Sequence, residues 1–92
     1  MSLSDDQMHI LHIEVAHSKS AKQAYDLFIK DHVDVTVKQL YMAIDNCSVS
    51  DIDSLRNLKF ALSAIRGLES SVLNIIESGK LAILTLEQEN AN

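Results

Sequence analysis

Between Asp51 and Ser78 the chain reads DIDSLRNLKFALSAIRGLESSVLNIIES, with apolar residues every three or four positions: Leu55, Leu58, Leu62, Ile65, Leu68, Val72 and Ile75. Side chains three and four apart stand one above another on an α-helix, so this spacing predicts a helix with one apolar side. Ala61, Ala64 and Ile76 widen the stripe beyond what a solitary surface helix needs. Such a helix has to pack against something.

The rest of the chain is suited to supply more helix. It has no Pro and only two Gly in 92 residues, which favours long uninterrupted helices over turn-rich β structure. At 47% hydrophobic it is too apolar for disorder. A chain this short buries only about 60–65% of its unfolded surface, so its own core is marginal unless association adds to it.

Ser4 precedes Gln7 by three residues, with Asp5 and Asp6 between them, which is a helix start with acids at the positive end of the dipole. Met8, Leu11 and Val15 follow at helical spacing, although Leu11, Ile13 and Val15 also alternate as a strand would. His17-Ser18-Lys19-Ser20 interrupts the pattern, and Ser18 or Ser20 is placed to cap a second helix through Ala24, Tyr25, Phe28 and Ile29 to Ile44. Val33-Asp34-Val35-Thr36-Val37 alternates like a strand but lacks a turn after it; Asp34 could instead cap a kinked restart.

Asn46 to Ser50 is the clearest loop, with Ser50 and Asp53 as the cap of the long helix. A loop this short makes the flanking helices antiparallel neighbours. Gly67 costs about 1 kcal/mol against Ala inside a helix and is read as a point of close helix approach. Gly79, in Ser78-Gly79-Lys80, is read as the glycine that ends the helix, with Leu81 to Leu86 a short final segment. The expected fold is all-α: an antiparallel helical hairpin, helices about 20–46 and 51–78, with a short N-terminal helix and a short C-terminal segment. It forms one domain over 1–92, with disordered tails at 1–3 and 88–92.

Leu55, Leu58, Leu62 and Ile65 fit a heptad, but its strict continuation lands on Glu69 while the chain offers Leu68 beside it. That favours a short bundle with wide faces over a long two-stranded coiled coil. One hairpin cannot cover both Leu58/Ile65/Val72 and Phe60/Ala64/Leu68/Ile75. The excess is expected to form a subunit interface drawn from Leu55, Leu58, Leu62, Ile65, Leu68, Val72, Ile75 and Ile76, most simply in a two-fold dimer with a four-helix core.

The net charge of −5 and the eight scattered basic residues argue against direct nucleic-acid binding, which needs clustered Lys and Arg. No run approaches a membrane span of roughly 18–20 apolar residues, and no basic start marks a signal peptide. The single cysteine, Cys47, fits a reducing cytoplasm. His9, His12 and His17 with Glu14 are the only cluster of metal-ligand types; a structural zinc site needs four such ligands, and Cys47 and His32 stand alone. Asp45, Asp51 and Asp53 lack the spacing and the glycine of a calcium loop. No phosphate loop or nucleophile set is present, so no enzyme activity, cofactor or metal is expected.

Leu58-Lys59, Leu62, Ile65, Leu68-Glu69, Val72 and Ile75-Ile76-Glu77-Ser78-Gly79-Lys80-Leu81-Ala82 together resemble the C-terminal half of small helical proteins encoded near head, portal and packaging genes of tailed bacteriophages. Ala24-Tyr25 and the loop ending at Asp51 match the earlier helix and polar loop of that pattern, while the Pro of that loop is missing and the valine-rich middle is longer. The resemblance implies a phage or prophage origin and a virion-assembly setting, in the cytoplasm of a host bacterium or on the virion. It implies phage structural or packaging proteins as partners, and it supplies no active site.

The expected function is therefore a non-catalytic, self-associating interaction protein, an accessory in virion assembly or DNA packaging. Two alternatives stand beside it. Ala16-His17-Ser18-Lys19-Ser20-Ala21 resembles a histidine-phosphotransfer site, although Lys comes too early and the following Gly is missing. A small acidic regulator or antidote that masks a basic partner also fits the charge.

Overall fold

Ser4 starts the first helix as its side chain predicts. Its Oγ accepts from the Gln7 backbone N–H at 3.1 Å, and the Gln7 Oε1 accepts from the Ser4 N–H at 2.9 Å, closing a capping box. From there α1 (Asp5–Ala24) passes through a π-helical turn (Tyr25–Ile29) straight into α2 (Lys30–Asn46). The first arm is thus continuous over 5–46. After a short turn, α3 (Ile52–Ala91) returns antiparallel over 40 residues, about 60 Å at 1.5 Å per residue. The computed structural model describes residues 3–91, and among them no strand occurs.

The all-α antiparallel hairpin agrees with the sequence pattern, and 8–15 and 33–37 are helical. Its overall shape is a rod of 63 × 23 × 16 Å. The radius of gyration is 19.4 Å, against about 12 Å for a compact domain of this length.

Asp51, not Ser50, caps α3. The Ser54 N–H donates to Asp51 Oδ1 at 3.2 Å, and the Leu55 N–H donates to the Asp51 carbonyl at 3.1 Å. A carboxylate suits the positive helix end, and Ser50 is already paired with the Ser48 hydroxyl at 2.8 Å.

Two expected breaks are absent, and one contact explains both. Instead of capping a helix at 18–20, Ser18 lies buried in mid-α1 and donates its hydroxyl to the Ile76 carbonyl of α3 at 3.2 Å. Gly79 does not end the helix near 78 either; it is buried inside α3, and a methyl group on it would overlap Cβ and Oγ of Ser18. Glycine is needed there because two helices touch, not because the chain turns: no described residue has positive φ. The segment from Leu81 therefore belongs to α3. Gly67, read as the close-approach glycine, has open space where its Cβ would be. The close approach within the chain falls at Gly79, and neither glycine ends a helix.

Of the expected tails, residues 1, 2 and 92 lie outside the described residues. Leu3 donates its N–H to Glu89 Oε1 at 3.0 Å, and 88–91 continue α3.

The seam between the arms is a heptad carried further than the sequence suggested. On α3 the inward residues run Leu55, Leu58, Leu62, Ile65, Glu69, Val72, Ile76 and Gly79, alternating steps of three and four. Glu69 takes the position, not Leu68, because the Tyr25 hydroxyl of the first arm meets its carboxylate at 3.0 Å. Opposite them, Met8, Leu11, Val15, Ser18 and Tyr25 keep the frame, whereas Val33, Val37, Leu40 and Ile44 arrive one residue late. The π turn absorbs the slip: the Lys30 N–H bonds the Tyr25 carbonyl five residues back, which inserts the extra residue. Asp34 restarts nothing, since the irregularity lies upstream of it.

Candidate interaction surface

A rod two helices thick has no interior in which to hold a small ligand. Among the described residues Val33, Ile76 and Ala82 are the buried apolar ones, and no side chain is completely enclosed. Function, if it depends on shape, has to sit on the outer sides.

Those sides differ. Along one, Asp34, Val37, Lys38 and Tyr41 of α2 line an open groove with Arg66 and Glu69 of α3. The Arg66 guanidinium donates to the Tyr41 hydroxyl and stacks 5.3 Å from its ring centroid, a cation–π pair. Lys22 pairs with Asp26 at 3.1 Å one turn along the first arm. Arg66 and Glu69 of α3 are thus both hydrogen-bonded to tyrosines of the first arm. Partial desolvation, then the hydrogen bond to Glu69, hold the Tyr25 hydroxyl above its ordinary pKa of 10.0.

The other side is mostly uncharged. Leu3, Gln7, Ile10 and Leu11 border Thr85 in one shallow groove, and Glu14 and His17 border Asn74, Ile75 and Ser78 in the next. Beyond Ile75, the outward turns of α3 carry Leu68 and Phe60, 59% and 77% exposed.

The eight candidate interface residues divide between seam and surface. Leu55, Leu58, Leu62, Ile65 and Val72 are half-buried against the first arm, and Ile76 is buried. Leu68 and Ile75 face solvent. Sequence reasoning missed Ser18, Tyr25, Glu69 and Gly79 as contact residues. The available signal was spacing: Leu11, Ser18 and Tyr25 are seven apart, as are Leu62, Glu69 and Ile76.

His9, His12 and His17 are all exposed on α1, with His17 on the opposite flank of the seam from the other two. Among the described residues no group of three or more His, Cys, Asp or Glu side chains could hold a metal ion. Asp51 is spent as a helix cap. Among those same residues, no helix is long and apolar enough to cross a membrane. Comparison with models of protein families, with curated proteins and with solved structures found no match to the chain.

Surface area points the same way as shape. The chain exposes 6966 Å², whereas a compact monomer of its mass exposes about 5,300 Å². The excess of roughly 1,700 Å² follows from the rod shape.

Proposed function

We propose that this chain is a helical-hairpin interaction protein that associates with copies of itself and works by binding, without catalysis. The observation that carries the reading is the second apolar stripe. The hairpin consumes its heptad seam internally and still leaves Phe60, Leu68 and Ile75 in solvent. Exposed apolar groups in a row mark association surfaces. On the resemblance of residues 55–82, this binding serves virion assembly or DNA packaging, with phage structural or packaging proteins as further partners.

Size exclusion with light scattering tests the association directly. The expected result is a dimer or larger at micromolar concentration; a well-folded monomer removes the reading. The setting is tested separately by the genes flanking the coding sequence. Capsid, portal and terminase genes support the assembly role, and a toxin or repressor neighbour transfers the same surface to an acidic regulator.

A further inference from the structure

We infer that the groove bordered by Leu3, Gln7, Ile10, Leu11 and Thr85 is a docking site for a basic amphipathic helix of another protein. This goes beyond self-association and does not rest on it. The lining carries no charge, and Ile10 is 57% exposed in it. Leu81, 59% exposed, stands at helical spacing between Ser78 and Thr85 and joins this groove to the next, where Ile75 lies. From Leu3 to His17 the strip runs about 20 Å, the length of about four helical turns.

Charge chooses the occupant. All eight Lys and Arg lie within residues 15–81, where eight Asp and Glu balance them. The whole net charge of −5 is therefore Asp5, Asp6, Glu14, Glu87 and Glu89, at the end of the rod where α1 begins and α3 finishes. Three of the five stand around the groove. Asp6 and Glu14 lie one turn to either side of Ile10, and Glu89 Oε1 accepts the Leu3 N–H at 3.0 Å. Among the described residues none of the five is in an ion pair. A second copy does not supply the missing positive charge. Its own version of this end is equally acidic, and at its opposite end Arg56 and Lys59 are outnumbered by Asp45, Asp51 and Asp53. Like charges set together oppose docking, so the partner has to bring Lys or Arg. An apolar strip with an acidic rim fits a helix whose own apolar stripe is flanked by those residues.

The probe is a fluorescent peptide of about fourteen residues with a leucine stripe and lysine flanks, set against a glutamate-flanked counterpart. By anisotropy with the full chain, the lysine peptide alone is expected to bind. Ile10→Gln is expected to weaken binding about tenfold, and Phe60→Gln, on a different apolar face, to leave it unchanged. Asp6→Asn with Glu14→Gln is expected to weaken it about tenfold as well. Asp31→Asn with Asp45→Asn removes the same charge elsewhere and is expected to cost less than about threefold. All of these positions are exposed, so the variants are expected to keep the helical circular dichroism of the wild type. Equal losses from the two charge pairs, or from Ile10→Gln and Phe60→Gln, overturn the groove. Equal binding of the glutamate peptide, or no binding of the lysine peptide at high micromolar concentration, does the same. Light scattering reads self-association separately: a wild-type monomer that binds the lysine peptide fails the earlier reading and keeps this one.

Discussion

Where α1 lies along the C-terminal part of α3, small residues meet: Ser18 against Gly79, with Ile76 and Ala82 buried nearby. Where α2 lies along the N-terminal part, the neighbours are large or polar, Tyr41 with Arg66, and Val33 is the one buried apolar residue of α2. The first half packs more extensively than the second. Small side chains let backbones approach until a serine hydroxyl reaches the carbonyl of another helix, and this excludes water with little apolar volume. Larger side chains hold the arms apart and leave their own flanks wet. The π turn sits between these regimes and lets one heptad serve both.

The largest effect is expected at Gly79. Gly79→Leu forces the arms apart at their closest point, and loss of more than about 3 kcal/mol in urea unfolding is expected. Gly79→Ala should also destabilise, by about 2 kcal/mol, because Ser18 Cβ is fixed to its backbone and outweighs the roughly 1 kcal/mol of better helix propensity. A neutral Gly79→Ala would mean that the tight half is not tight.

Truncation compares the halves next. Ile76→Ala is expected to cost about 2–4 kcal/mol, and Val33→Ala about 1.5–2.5, as fewer atoms leave a looser site. Equal losses, or a larger one at Val33, would reverse the ranking of the two halves.

How much of this could be read in the chain follows from the kind of signal involved. The hairpin itself was legible, because apolar spacing and a five-residue polar loop are local. The capping box at Ser4 was legible for the same reason. Ser18 and Gly79 were misread as punctuation, since serine and glycine favour helix ends when they act through their own backbone. Here each acts on the other, 61 residues away along the chain, and no local rule carries that information. The place of Glu69 in the seam was not legible, because its partner, Tyr25, lies 44 residues away across the gap. The outward stripe of Phe60, Ala64, Leu68 and Ile75 was legible as excess.

The Tyr25–Glu69 bond stitches the two halves where the π turn begins, and its expected effect is smaller. Tyr25→Phe should destabilise the hairpin at neutral pH, as the hydroxyl that donates to the Glu69 carboxylate is lost. The pH dependence has a definite sign. With the folded hydroxyl raised above the ordinary value of 10.0, the unfolded chain releases this proton first, so stability is full below about pH 10 and falls as pH rises through the folded value. Urea titrations at pH 7, 9.5 and 11 should show this part of the alkaline decline in the native chain and its absence in Tyr25→Phe.

Gly67→Ala gives the smallest effect, in the opposite direction to the same change at Gly79. Nothing lies within 4 Å of the added methyl group, so in the isolated hairpin only backbone propensity is at stake, and a gain of about 0.5–1 kcal/mol is expected. The measurement has to be made by unfolding at nanomolar concentration, where association does not contribute. If Gly67→Ala instead destabilises the isolated hairpin as Gly79→Ala does, both glycines serve internal packing, and the contrast between the open position and the tight one collapses.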